Sequence, residues 1–109
     1  RISAPIKRLD LSSLGDLSFM KPDNGTFPAL NLAIQALKIG GSAPAILNAA
    51  NEIAVGAFLE NKIPFLSITK IVDLTINKSN ICEITSIEEV LDVDIQARET
   101  AENFIRLEI

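Results

Sequence analysis

The sequence predicts an all-α fold, a small helical bundle of four or five helices with an extended, irregular N-terminal arm. Two observations support this prediction. From residue 27 onwards, apolar residues recur at helical spacing in segments that short joints separate. Before residue 27, proline, glycine, aspartate and asparagine interrupt every stretch that could form a regular element. We therefore expect an arm at residues 1–26 and a helical domain at residues 27–109.

Proline and glycine delimit the first two predicted helices. The first begins at Pro28, which suits a first helical turn, and ends at Gly40-Gly41, where glycine tolerates a positive φ. Ser42 is the expected N-cap of the second helix, which runs to about Asn61. Because apolar residues lie on both faces of this second helix, we expect it to lie centrally in the bundle.

Serine and aspartate mark the starts of the later helices. A third helix is expected from about Ser67. Ser86 and Glu89 have the spacing of a capping box, in which each side chain bonds the backbone N–H of the other residue. Asp94 is the expected cap of a last helix. Arg98, one turn further on, is expected to pair with Asp94 or with a neighbouring helix.

The composition argues against several classes of function. The chain has 109 residues, enough for one domain with its own core. Its net charge is −4 and its basic residues are scattered, so we expect no nucleic-acid partner. No stretch has the pattern of a signal peptide or a membrane helix, and the single cysteine fits a reducing compartment, which together predict a cytoplasmic protein. Because the first residue is Arg rather than Met, we expect a piece of a longer protein.

The middle of the second predicted helix carries three polar residues, Asn48, Asn51 and Glu52, within about one turn. A dimetal site would need several carboxylates and usually histidine, and the chain has no histidine. A general acid/base pair would need a second carboxylate facing Glu52, for which the sequence offers no strong candidate. We therefore predict a structural clamp: three buried side chains that bond backbone groups of another segment, with the arm as the favoured partner.

Three further features could suggest a site. The Gly40-Gly41 pair follows a helix and lacks the lysine of a phosphate loop, which favours a helix C-cap. Cys82 has no histidine to activate it, so an unreactive thiol is favoured over a nucleophile. The acidic run at residues 88–94 fits a solvated helix face. No residue is predicted to be catalytic, to bind a cofactor or to ligate a metal.

Several motifs together resemble the C-terminal region of the 1-deoxy-D-xylulose 5-phosphate reductoisomerase family. They are Leu-Asp-Leu at residues 9–11, Leu-Ser-Phe at 17–19, Pro-Asp at 22–23, Asn-Ala-Ala-Asn-Glu at 48–52, and Asp-x-x-Ala-Arg at 94–98. The resemblance covers essentially the whole chain, and the run at residues 48–52 is its most specific part.

The resemblance implies a parent enzyme of non-mevalonate isoprenoid biosynthesis. Such enzymes use NADPH and a divalent metal, Mg or Mn, to convert 1-deoxy-D-xylulose 5-phosphate to 2-C-methyl-D-erythritol 4-phosphate. The implied partners of this chain are an N-terminal dinucleotide-binding domain and a central catalytic and dimerising domain, in a protein that is implied to be a homodimer. The chain matches only the connection and the helical domain, so we expect it alone to be inactive and to bind no cofactor or metal.

A free-standing helical module that binds another protein is the alternative. Such a module would carry an exposed apolar stripe, and its arm would be disordered in solution. The family resemblance instead predicts an arm that is ordered against the bundle or against the missing domains.

Overall fold

The protein is an all-α bundle of four helices in a computed structural model that describes residues 5–108. Arg1 and the next three residues of the predicted arm, together with Ile109, lie outside the described residues. Within the described range no residue forms a strand, which confirms the predicted fold class. The helices are α1 (Ala29–Ile39), α2 (Ala43–Leu59), α3 (Ser67–Lys78) and α4 (Ile87–Glu108).

Helix α2 lies at the centre of the bundle and packs against α1, α3 and α4, as its two apolar faces predicted. Apart from one adjacent pair, its buried residues recur three or four positions apart, and all but one are alanine: Ala43, Ile46, Ala49, Ala50, Ala54 and Ala57. Small side chains at a helix–helix contact let the two axes approach closely. The central position of α2 therefore follows from its alanines.

The helices around α2 supply further core side chains. Ile71 in α3 is fully buried, and in α4 Ala97 and Ala101 are almost completely buried. Thr75 is the one polar core residue of α3 that is completely buried, and its Oγ1 donates to the Ile71 carbonyl oxygen at 2.8 Å. That bond satisfies the hydroxyl inside its own helix, so Thr75 needs no polar partner from another element.

The turn between α1 and α2 is fastened to the loop that precedes α4. The Ser42 N–H donates to the Cys82 carbonyl oxygen at 2.8 Å, and the Cys82 N–H donates to the Ser42 Oγ at 3.0 Å. Gly41 has a φ of +52°, and a Cβ at this residue would collide with the Cys82 carbonyl oxygen. Glycine is required here both by its φ and by the approach of the second backbone.

Helix α4 is continuous through Asp94, so the prediction that Asp94 caps a separate last helix is wrong. The helix begins at Ile87, and no glycine or proline follows within it to break it. Asp94 is tolerated inside the helix because its carboxylate pairs with Arg98, one turn further on. The two segments that the sequence suggested are one helix of 22 residues.

The described part of the arm is irregular and lies at the surface. Asp10 caps a short 3-10 turn at Leu11–Ser13 by accepting the Ser12 N–H at 3.0 Å. Asp23 closes a second turn by accepting the backbone N–H groups of Gly25 and Thr26 at 3.0 and 3.2 Å. Every described residue of the arm is exposed, so the arm is not buried against the bundle.

Candidate functional site

Asn48, Asn51 and Glu52 are all exposed, so the predicted burial of these three side chains is wrong. On α2 they lie away from the alanine stripe that faces the core. The predicted partner does not cover them either, because the arm itself is exposed. Helical periodicity showed two apolar faces on α2, but it could not show which flank would be left at the surface.

Two of the three residues belong to a polar network between α2 and α4. Asn48 Nδ2 donates to Glu52 Oε1 at 3.3 Å, and Arg98 Nη2 donates to Glu52 Oε2 at 2.6 Å. Arg98 also donates through Nε to Asp94 Oδ2 at 2.6 Å and through Nη2 to Asp94 Oδ1 at 3.2 Å. The predicted pairing of Arg98 is confirmed, with both its own helix and a neighbouring one.

The charges in this network hold Glu52 in its ionised form. The Arg98 hydrogen bond, followed by that from Asn48, lowers the pKa of Glu52 below its ordinary value of 4.5. In turn, hydrogen bonds to Asp94 and Glu52 raise the pKa of Arg98. Glu52 is therefore an ion-paired carboxylate at neutral pH, which makes it a poor proton donor. The network acts as an ion pair between helices.

Asn51 lies apart from this network, beside an apolar groove. The groove has a volume of about 260 Å³ and runs between the start of α1, the middle of α2 and the start of α3. Its wall is almost entirely apolar, with Phe27, Val55, Phe65, Leu66 and Ile68 among its lining residues. Such a wall offers a phosphate or a cofactor pyrophosphate no cation and no glycine-rich turn.

The predicted caps differ in what their side chains do. Ser42 occupies the N-cap position of α2, but its hydroxyl makes no bond to the first turn and instead accepts the Cys82 N–H. At the start of α4, the Glu89 N–H donates to Ser86 Oγ at 3.2 Å and the Ser86 N–H donates to Glu89 Oε2 at 3.3 Å, as in a capping box. A bond from the Thr85 N–H, at 2.7 Å, is the main reason that the pKa of Glu89 is lowered.

The remaining candidates are structural in the described chain. Cys82 is exposed, and its backbone pairs with Ser42. In the acidic run, Glu89 serves the capping box and Asp94 pairs with Arg98. Among residues 5–108, no three His, Cys, Asp or Glu side chains lie together as a metal site would require. None of the described helices is long and apolar enough to cross a membrane.

The sequence predicted the positions of Arg98 and Gly41 but not all of their partners. Arg98 was expected to pair, but nothing in the sequence except the opposite charges indicated Glu52, 46 positions away, as a partner. Gly41 was predicted to lie at a helix end. Its close contact with the Cys82 backbone, which also requires glycine, arises only in the folded chain and has no signal in the local sequence.

The fold and these contacts define a helical domain whose polar residues hold helices together. The family model described as the DXP reductoisomerase C-terminal domain matches residues 1–100. The chain belongs to this family.

Individual relatives agree over nearly the whole chain. The 1-deoxy-D-xylulose 5-phosphate reductoisomerase of Chlorobium chlorochromatii is 50% identical over 105 residues, which are 96% of this chain and 28% of that protein. The Pseudomonas aeruginosa enzyme of the same name is 46% identical over 101 residues, 93% of this chain and 26% of that protein. The chain therefore spans about a quarter of the length of these relatives.

Solved structures show the same fold. The reductoisomerase from Zymomonas mobilis in complex with NADPH superposes with a TM-score of 0.86 at 44% identity, covering 96% of this chain and 28% of that chain. A reductoisomerase in complex with magnesium superposes with a TM-score of 0.83 at 37% identity, covering 98% of this chain and 29% of that chain.

Proposed function

We propose that this chain is the non-catalytic C-terminal part of an NADPH-dependent 1-deoxy-D-xylulose 5-phosphate reductoisomerase. The whole protein would convert that substrate to 2-C-methyl-D-erythritol 4-phosphate in non-mevalonate isoprenoid biosynthesis, with Mg or Mn as its metal. The observation that carries this proposal is the match of nearly the whole chain to only 28% of a named reductoisomerase. In this scheme residues 1–26 are the connection and residues 27–109 are the helical domain.

The residues described here do not fit the cofactor or the metal. The dinucleotide-binding motif for NADPH places a glycine-rich turn between a strand and a helix, and the described residues form no strand. A divalent metal needs several oxygen ligands, yet Asp94 and Glu52 both face Arg98. Both groups would therefore be held by the part of such a protein that lies outside the region matched by this chain.

The bundle would serve the reaction by support. Catalysis depends on holding reacting groups in a narrow range of geometries, and small displacements far from the chemistry reduce the rate. The Glu52–Arg98 pair and the hydrogen bonds between Ser42 and Cys82 join separate segments of the bundle and would contribute to this support. Its partners would be the dinucleotide-binding and catalytic domains of the same protein, in a cytoplasmic homodimer with no nucleic-acid or membrane partner.

The free-standing interaction module lacks support from the comparisons. The relatives that match the chain carry this domain within a protein more than three times its length, since the chain covers 28% of the first and 26% of another. The exposed apolar residues of the bundle are then expected to meet other domains of the same protein.

Two measurements test the proposal. The full-length protein should consume NADPH when 1-deoxy-D-xylulose 5-phosphate and Mg²⁺ are supplied, and it should form 2-C-methyl-D-erythritol 4-phosphate. Titration calorimetry of the 109-residue chain with NADPH, Mg²⁺ and substrate should show no specific heat. Micromolar NADPH binding by this chain, or a full-length protein without this turnover, would overturn the proposal.

A further inference from the structure

Helix α1 presents an apolar stripe at the surface. Leu30, Ile34 and Leu37 recur at spacings of four and three residues, and they are 48%, 43% and 76% exposed. Ala36, on a different face, is the buried residue of this helix. No charged residue occurs from Asn24 through Leu37. An uncharged apolar helix face in an otherwise charged domain is typical of an interaction surface.

The apolar groove begins at the same end of α1. Its lining includes Pro28 and Ala29, which directly precede Leu30, and Phe65 and Leu66, which precede α3. Phe65 is 63% exposed and Leu66 is 77% exposed. A groove of about 260 Å³ with such walls has room for an apolar anchor side chain of a partner. We use the term α1 face for the stripe and this groove together.

We propose that the α1 face is the surface on which the preceding domains of the same polypeptide dock. The matching family describes a C-terminal domain, and the chain covers only 28% of its Chlorobium relative, so most of that protein's length precedes the matched region. This inference rests on the proposed function in one respect, that the chain is one domain of a longer reductoisomerase. It adds which side of the bundle the other domains cover.

The neutrality of the α1 face favours a tethered partner. Separate proteins commonly use complementary charges to find each other, whereas a covalently linked domain is already present at high effective concentration. A stable dimer of copies uses about 20–30 residues a side, far more than the α1 face supplies. An apolar surface on a linked domain is therefore the partner whose chemistry fits.

Helix α4 carries another exposed stripe, which is less suited to docking. Its members Ile87, Leu91 and Ile95 are 75%, 57% and 55% exposed. Acidic residues are interspersed with them along the helix: Glu88, Glu89, Asp92 and Asp94. Covering that stripe would bring these carboxylates close to an apolar partner and remove water from them, which is costly. The α1 face carries no such penalty.

A photoreactive side chain on the α1 face tests the proposal in the full-length protein. Benzoylphenylalanine would replace Leu37 in one variant and Leu107 in a matched control, since both leucines lie near helix ends and are 76% and 81% exposed. Subunits with and without heavy nitrogen are mixed, so that mass spectrometry separates links within one chain from links between copies. We expect residue 37 to link to peptides N-terminal to this chain, within the same subunit, and at several-fold higher yield than residue 107.

Two cysteine variants test the same surface with a small side chain, which does not displace a docked domain as the bulky benzoylphenylalanine would. Leu37→Cys in the folded full-length protein should react with a maleimide much more slowly than Leu107→Cys, and the two should react equally after denaturation. Links from residue 37 only to a second copy, or a Leu37→Cys that reacts as fast as Leu107→Cys, would overturn the proposal. Turnover is measured separately, so an intrachain link in a protein without reductoisomerase activity would reject the proposed function and leave the docking surface standing.

Discussion

Arg98 joins α4 to α2 because one guanidinium reaches two carboxylates, at 2.6 Å from Glu52 and 2.6 Å from Asp94. Its planar fork of donors suits this shared contact better than the single ammonium of lysine would. All three side chains remain partly exposed, so solvent screens the pairs and the expected gain in stability is modest. The network orients the helices more than it stabilises them.

Glu52→Gln is predicted to change how stability depends on pH. The pKa of Glu52 is lowered on folding, so its contribution is fully present above the ordinary value of 4.5 and is lost as the pH falls through the lower folded pKa. The stability difference between wild type and variant, measured by urea unfolding at several pH values, should be constant near neutrality and shrink below about pH 4.5. Glu99→Gln, an exposed carboxylate on α4, is the control. A difference that persists unchanged in strong acid would contradict this assignment.

Asp94→Asn and Asp94→Ala are predicted to destabilise the chain by similar amounts, each under about 1 kcal/mol. Both remove the charge that pairs with Arg98, and Asp94 has no helix N-terminus to cap. Thermal or urea unfolding of the two variants checks this. If asparagine kept wild-type stability while alanine did not, capping would be the better account.

Gly41→Ala is predicted to destabilise the chain by more than its backbone conformation alone would cost. Gly41 has a φ of 52°, for which alanine carries a backbone penalty of about 1–2 kcal/mol. The added Cβ would also collide with the Cys82 carbonyl oxygen, so the expected loss exceeds that penalty. Urea unfolding measures the loss, and a loss of only about 1 kcal/mol would show that the contact between Gly41 and Cys82 is loose.

At the scale of elements, local chemistry predicted where helices begin and end better than which side they bury. Gly40, which has a positive φ, marked the end of α1, and Ser86 with Glu89 marked the start of α4. The prediction of a helix start at Asp94 was wrong, because an aspartate acts as an N-cap only where the residues before it are not helical. The exposure of Asn48 and Glu52 depends on how α2 is surrounded, which no local pattern contains.

Ala50→Leu in α2 is predicted to destabilise the bundle by about 1–3 kcal/mol or more, because three extra carbons enter a filled core. Ala50 is fully buried and belongs to the core cluster. Ala33→Leu on α1 is the matched control, since Ala33 is exposed and the same change there should stay within about 0.5 kcal/mol. Urea unfolding of both variants measures the contrast, and equal effects would mean that α2 is not the packed centre.

For the whole molecule, the fold class and the family were predictable from the sequence, but the contacts of its exposed residues were not. Helical spacing and short joints are enough to indicate a bundle, and the run at residues 48–52 with its upstream motifs indicated the family. The arm motifs and the polar residues of the run at 48–52 fall on exposed positions, such as Phe19 at 89%, whereas the alanines of that run are buried. Exposed positions of this kind are expected at contacts with further domains, and only the whole protein holds those contacts.

Deletion of residues 27–109 from the full-length protein separates a supporting role of the bundle from a dispensable one. If the chemistry lies outside this chain and the bundle positions the reacting groups, the shortened protein should still bind NADPH, provided that circular dichroism shows it to be folded. Its turnover of 1-deoxy-D-xylulose 5-phosphate should be abolished or severely reduced. Full turnover after the deletion would show that the bundle is not needed for positioning.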